Sequence, residues 1–284
     1  MFTRREIVNS SLLAVSAAGA IGSTSSSPAA TPARLKQSAS RWCYKDIEFG
    51  DLCAFGAKIG LRGIDLLQPD EYDLPRRYGL RCSMGYVSGG PSITDGLNRP
   101  ENHAAFEQAY RAGIPLAAKS AVPNVITFPG NRRGMSDEEG IKNTVAGLNR
   151  IKGIAEDHGV TICLELLNSK IDHPDYMADH TAWGVRVMEE VNSPHVKLLF
   201  DIYHMQIMEG DLINTIRNNI KWIGHFHTGG VPGRHELNDT QEVNWAGVAR
   251  AIADLNFTGY FAHEFLPATD PLPALEQAVR LCAV

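Results

Sequence analysis

The run Val196-Lys197-Leu198-Leu199-Phe200-Asp201 is apolar but for Lys197 and ends on an acid. A strand buried on both faces reads as a continuous apolar run, whereas a strand with one wet face alternates. This run therefore belongs in a parallel sheet covered by helices, and the chain on either side repeats it. Runs rich in Val, Ile, Leu and Phe predict eight strands: Arg41 to Tyr44, Gly63 to Leu67, Arg81 to Tyr86, Asn124 to Phe128, Thr161 to Leu166, Val196 to Asp201, Trp222 to His227 and Gly259 to Phe265. Helical periodicity falls between them, at Phe49 to Ile59, Asn102 to Ser120, Asp137 to Asp157, Asp175 to Glu190, Leu212 to Asn219, Trp245 to Leu255 and Ala274 to Leu281. Gly60, Gly79, Gly159 and Gly259 stand at the approach to strands, where a helix C-terminus takes a residue that tolerates positive φ. Alternating βα units over residues 34–284 predict a single-domain α/β fold, the (β/α)8 TIM barrel, typically about 250 residues. An open doubly wound sheet fits less well, since no G-x-G-x-x-G loop is present.

Composition agrees with a globular enzyme-sized domain. Of 284 residues, 44 % are hydrophobic and 21 % charged, close to globular averages of about 45–50 % and about 25 %, which excludes a disordered chain or a membrane bundle. The net charge of −5 argues against a broad phosphate-binding surface, so nucleic acid is not an expected partner and small polar molecules are. Whether the chain forms a homo-oligomer stays open. Five cysteines, odd in number and without C-x-x-C spacing, imply neither a disulfide framework nor a zinc ribbon.

Residues 1–33 read as an export signal and linker. Arg4 and Arg5 precede an uncharged run from Ile7 to Ala33 that Ser10, Ser11, Ser16 and Gly19 make too polar for a membrane span. Thr3-Arg4-Arg5-Glu6-Ile7-Val8 resembles a twin-arginine signal, which implies a periplasmic protein, cleaved between Ala29 and Ala33 and with no stable membrane insertion thereafter.

In TIM barrels chemistry collects at the C-terminal ends of the strands. Strand five ends on Cys163-Leu164-Glu165, strand six on Phe200-Asp201, strand seven on His225-Phe226-His227 and strand eight on His263-Glu264-Phe265. Glu165, Asp201, His227 and Glu264 are spaced by 36, 26 and 37 residues, about one βα unit each, so all four converge above the barrel. A carboxylate in an apolar strand end is costly unless paired, protonated or bound to a metal, and four coincidences favour the metal. Three carboxylates and one imidazole suit Mn²⁺ or Mg²⁺, with Co²⁺ or Zn²⁺ admitted by the imidazole. His225 shares a face with His227 and reads either as a partner behind the ligands or as a packed interior residue.

Phe200-Asp201-Ile202-Tyr203-His204 continuing to Asp211, then Trp222-Ile223-Gly224-His225, then Pro232-Gly233-Arg234-His235-Glu236, resemble the hydroxypyruvate isomerase branch of the xylose isomerase-like barrels. The resemblance covers most of the chain from about Ser40 and is strongest from Glu165 onward. It implies that Glu165, Asp201, His227 and Glu264 hold one divalent metal, that Glu165 and Glu264 double as the acid/base pair, and that His204 and Arg234 contact substrate oxygens. Hydroxypyruvate isomerases usually carry Gln at the position of His227. A His there is similar to the ketose 3-epimerases of the same superfamily.

The chemistry follows from the residues as well. Shifting a carbonyl to the next carbon, or inverting a centre beside one, requires removal of a weakly acidic C–H proton and stabilisation of an enediolate. Glu165 and Glu264 suit that proton transfer. Arg234 reads as a clamp for a substrate carboxylate, the alternative being a pin from its loop to Glu236 or Glu242. His204 reads either as a pocket residue or as a buried, hydrogen-bonded histidine. Asn244 reads as a helix N-cap, and Asn168 either orients Glu165 or closes a turn. A small keto sugar or keto acid is the expected partner. The rival readings are a sugar lyase or keto-glycoside-processing enzyme, an exported binding protein with a vestigial site, and an apurinic-type nuclease. The last lacks ligands at Gly85-Tyr86-Val87 and Thr127-Phe128-Pro129.

Overall fold

The computed structural model describes residues 34–284; the export signal and linker expected at 1–33 lie outside the described residues. In chain order the main elements are β1 (Lys36–Ser40), α1 (Phe49–Lys58), β2 (Gly63–Asp65), β3 (Arg81–Cys82), α2 (His103–Lys119), β4 (Asn124–Thr127), α3 (Asp137–His158) and β5 (Thr161–Glu165). There follow α4 (Thr181–Val191), β6 (Val196–Asp201), α5 (Ile202–Met208), α6 (Leu212–Asn219), β7 (Ile223–Thr228), α7 (Trp245–Asp254), β8 (Tyr260–His263) and α8 (Pro271–Leu281). The strands lie in the order β3-β2-β1-β8-β7-β6-β5-β4, and every pair is parallel. This is the TIM barrel the strand rhythm predicts.

The barrel closes between β3 and β4 through one residue. Gly85 pairs with Leu67 on one side and Val125 on the other, its N–H donating to Asn124 O at 3.0 Å and its carbonyl accepting from Ile126 N–H at 3.1 Å. A Cβ at Gly85 would fall 2.4 Å from the Tyr72 ring, whose hydroxyl donates to Tyr86 O. Only glycine fits this seam.

The first predicted strand requires correction. Arg41–Tyr44 is a 3-10 helix, and the first strand is Lys36–Ser40 just before it. That strand is polar in sequence yet buried, because the barrel interior here is polar: Gln37 Nε2–H donates to Val279 O at 3.2 Å, and Gln37 Oε1 lies 2.8 Å from His263 Nε2. The helix predicted from Asp175 begins instead at Thr181. Asp175 is drawn into a loop pairing, accepting from Arg132 N–H at its carbonyl and from Arg133 N–H at its side chain, with φ of 72°. The α4 N-terminus is then capped from a distance, Glu209 Oε1 accepting from Thr181 N–H at 3.0 Å and also from its hydroxyl.

Helix α5 is not among the helices that the periodicity predicts. It continues directly from β6 because Asp201 Oδ1 accepts from Tyr203 N–H at 2.8 Å and His204 N–H at 3.3 Å, an N-cap built on the last strand residue. Asn244 caps α7 as expected, accepting from Gly247 N–H at 3.1 Å. Between sheet and helices lies the apolar core, with Phe200, Phe226, Phe261 and Trp245 fully enclosed. Each large apolar side chain buried there contributes about 1.5–3 kcal/mol, which offsets the cost of the polar residues enclosed inside the barrel. All five cysteines are free, and among the described residues no helix is long and apolar enough to cross a membrane.

Candidate metal centre and active site

Glu165 ends β5, Asp201 ends β6, His227 lies near the end of β7 and Glu264 follows β8 directly. The register of adjacent strands brings these ends level, Asp201 pairing with His227 across β6 and β7. All four side chains are buried, and one donor atom from each lies within 4.8 Å of the others. His227 Nδ1 is 2.8 Å from Glu264 Oε2, 3.2 Å from Glu165 Oε1 and 4.0 Å from Asp201 Oδ2. The structure thus brings together all four predicted ligands.

Two observations show that this donor set fits a divalent cation. His227 Nδ1 and Asp201 Oδ2 are buried with no hydrogen-bond partner of acceptable geometry, despite the short approach of Nδ1 to Glu264. Buried polar atoms are normally satisfied, so donor atoms converging unpaired on one point call for an ion. The electrostatics agree. Burial opposes a charge on His227, yet Glu264 and the other surrounding carboxylates raise its pKa well above the usual histidine range. The cage stabilises positive charge at its centre.

The two glutamates are held differently. Burial, opposed by His227 and reinforced by the charge of Glu264, raises the pKa of Glu165. Glu264 is pushed the other way: burial would raise it, but the charges of His227 and Arg234 hold it well below the carboxylate range. Trp42 Nε1–H donates to Glu264 Oε1 at 2.6 Å, and Arg234 Nη2 lies 2.6 Å from Oε2. Both oxygens of Glu264 are thereby fixed. Burial, partly opposed by Arg234, pushes Asp201 up to about 7.

Arg234 is not pinned to Glu236 or Glu242, the loop partners that stand as the alternative to a substrate clamp. Its guanidinium pairs with Glu264 and lies 3.5 Å from Asp201 Oδ2, and it stacks between the rings of Trp42 and Tyr203, 5.3 Å from each centroid. Glu236 instead accepts from Ala268 N–H and from Thr269 N–H and hydroxyl, while Glu242 accepts from Gln206. Arg234 has φ of 59°, a left-handed backbone that sends its side chain back toward the strand ends.

His204 is both buried and directed at the site. Its Nδ1 accepts from Asn168 N–H at 3.1 Å and from Asn168 Nδ2–H at 2.7 Å. Two donors on one nitrogen assign the proton to Nε2, which lies 3.5 Å from Asp201 Oδ2. Burial, with Arg234 and His173 nearby, lowers the His204 pKa well below the usual range, so the ring is neutral. Asn168 closes a turn, its Oδ1 accepting from Ile171 N–H and Asp172 N–H, and it orients His204 rather than Glu165.

Two residues at the site escaped the sequence reading. Trp42 lies in the stretch read as a strand. Asp65, the last residue of β2, accepts from His227 Nε2–H at 2.9 Å and is the partner of His225, whose Nε2 lies 3.2 Å away. The signal was available: Asp65 is an acid inside the apolar run Gly63-Ile64-Asp65-Leu66-Leu67, the same anomaly that marks Glu165. At the cage opens a cavity of about 210 Å³, whose lining combines Glu165, Glu264, Arg234 and His173 with the apolar Leu66, Ile93, Ile126, Phe128 and Leu167.

Fold and site together define a TIM barrel with a four-residue candidate metal centre at the C-terminal ends of its strands. Within that class, the chain belongs to the xylose isomerase-like TIM barrel family, whose family model matches residues 57–283. It is 30 % identical over 179 residues to a putative hydroxypyruvate isomerase of Danio rerio, covering 60 % of this chain and 65 % of that relative's length. It is 30 % identical over 230 residues to a D-psicose 3-epimerase of Ruminiclostridium cellulolyticum, covering 71 % of this chain and 74 % of the relative. Among solved structures, an AP endonuclease, family 2, from Brucella melitensis superposes with a TM-score of 0.76 at 21 % identity, over 86 % of this chain and 96 % of that one. That likeness shows the fold alone.

Proposed function

We propose that this chain is a divalent-metal-dependent isomerase or epimerase of a small keto sugar or keto acid, working through an enediolate. The observation that carries the reading is the pair of glutamates that share one cation cage and line one small cavity, with pKa values displaced in opposite directions. Pairs of titratable groups pushed apart by their surroundings mark acid and base roles.

Glu165, Asp201, His227 and Glu264 would hold the ion, which when bound supplies Lewis acidity toward the substrate's carbonyl and hydroxyl oxygens. Glu165 and Glu264 move the proton at the carbon beside the carbonyl, one taking it from one face or position and the other returning it. Arg234 and the Nε2–H of neutral His204 donate to substrate oxygens, and the apolar wall excludes water from the reacting carbon. Pockets for drug-sized ligands run to about 300–1,000 Å³, so a space of about 210 Å³ favours a substrate of a few carbons over a keto-glycoside. The relatives named hydroxypyruvate isomerase and D-psicose 3-epimerase support the same substrate class. The metal we favour is Mn²⁺ or Mg²⁺. Residues 1–33 we read as a twin-arginine export signal that delivers the barrel to the periplasm.

A panel of hydroxypyruvate, free ketoses and 3-keto-glycosides, assayed with added Mn²⁺ in deuterated water, tests the reading. Turnover of a small substrate with deuterium entering beside the carbonyl is the expected result. Turnover confined to 3-keto-glycosides, or none on the panel with the protein fully loaded, would overturn it.

A further inference from the structure

Asp65 stands one layer below the cage, on the opposite side of the barrel from Asp201, and is wholly enclosed. Its Oδ1 accepts from Ser83 Oγ–H at 2.5 Å and faces His225 Nε2 at 3.2 Å; its Oδ2 accepts from His227 Nε2–H at 2.9 Å. Asn124 Nδ2 lies 3.3 Å from His225 Nδ1, so polar groups from β4, β7, β2 and the segment after β3 form one chain across the barrel floor. His227 is its upper end, and its other ring nitrogen is the unpaired Nδ1 of the cage.

A neutral imidazole carries one proton on two nitrogens. A carboxylate accepting at Nε2 fixes the proton there, leaves the lone pair on Nδ1 and sets the plane of the ring. We propose that Asp65 is a positioning residue for the metal centre, holding His227 in the tautomer and orientation that make Nδ1 a ligand. This rests on reading the cage as a divalent-metal site, and it extends that reading to a residue outside the four ligands. A merely structural role, neutralising a buried histidine pair, would leave the affinity for metal untouched. A positioning role would not, since partners behind a ligating histidine typically contribute about 10- to 100-fold in metal affinity. In Asp65→Asn the amide can present its NH₂ to Nε2, which would drive the ring proton onto Nδ1.

The test is the Mn²⁺ affinity of the purified full chain and of Asp65→Asn, measured by chelator competition, together with long-range ¹H–¹⁵N spectra of the histidine rings in the Zn²⁺-loaded parent. Expected are a folded Asp65→Asn that binds Mn²⁺ about 10- to 100-fold more weakly, and a parent His227 with its proton on Nε2. Parent-like affinity in the folded variant overturns the inference and leaves the functional reading standing. A parent that binds no divalent ion overturns both. Should Asp65→Asn not fold, the hydrogen bond in the loaded parent decides: a His227 Nε2–H resonance shifted far downfield, as for an N–H donated to a carboxylate, supports the inference, and an unshifted one overturns it.

Discussion

Arg234 Nη2 and Glu264 Oε2 are 2.6 Å apart, with the Arg234 side chain 13 % exposed and that of Glu264 5 %. An ion pair so enclosed has little solvent screening and fixes the carboxylate that the proposed mechanism uses as a base. Arg234→Ala is therefore expected to lower kcat/KM by about ten- to a hundredfold or somewhat more, the equivalent of about 1.5–3 kcal/mol for one charged contact. Metal content should stay whole, because Trp42 still holds the other oxygen of Glu264. Elemental analysis that found the metal gone would make Arg234 a support of the cage instead.

Trp42 separates two contributions. Its Nε1–H donates to Glu264, and its ring lies over the Arg234 guanidinium. Trp42→Phe keeps a ring and removes the donor, so kcat is expected to fall about tenfold or more with KM little changed. Trp42→Ala should raise KM as well. Equal effects of the two changes would assign the whole contribution to the ring.

Glu165→Gln and Glu264→Gln each keep an oxygen ligand and remove a base. Either should cost about 10²- to 10⁴-fold in kcat, and the double change less than the product, since the two act as one unit. Near-normal turnover by Glu264→Gln with metal bound would turn attention to His204 as the base.

Loading should depend on pH in a definite direction. Burial pushes Asp201 up to about 7, and the surrounding carboxylates raise His227 well above the usual histidine range, so these two tend to hold protons near neutrality. Metal ligands must be deprotonated, hence binding releases protons and tightens as pH rises. Mn²⁺ affinity is expected to increase between pH 6 and pH 8, by up to about tenfold per pH unit for each proton released. Isothermal titration in buffers of different ionisation enthalpy counts those protons, and a flat profile would contradict the assignment.

The proposed export signal turns on Arg4 and Arg5. Replacing both with Lys keeps the charge and should trap the chain in the cytoplasm if the twin-arginine reading holds. Unchanged fractionation to the periplasm would point to the general secretory route.

The cage was legible because acids inside apolar strand ends are anomalous, and their spacing matched one βα unit each. Glu165, Asp201, His227 and Glu264 needed no further information. The opposite half of the barrel hides its contribution. β1 is written as Lys36-Gln37-Ser38-Ala39-Ser40, a polar run that reads as linker because its partners, His263 and the Val279 carbonyl, come from more than 200 positions away. With the first strand read at Arg41 to Tyr44, Trp42 reads as a strand residue and its place at the site is hidden. α5 was missed for another reason: seven residues with no turn before them are too few for helical periodicity to register, and the cap is a strand residue. Arg234 is legible as a pocket residue, but its partner Glu264 is not, because it comes from the next strand, 30 residues on, whereas the loop itself offers the nearer acids Glu236 and Glu242.

Asp201 divides its two oxygens between two tasks, Oδ1 starting α5 and Oδ2 facing the cage. An ion held by Oδ2 would therefore pull on the same carboxylate that anchors the amides of Tyr203 and His204. Occupancy at a hundred times the dissociation constant stabilises a fold by about 2.7 kcal/mol, and Asp201 is where such an increment would enter the backbone. Filling the cage would therefore be felt first in the opening turn of α5, and through it in the aim of His204.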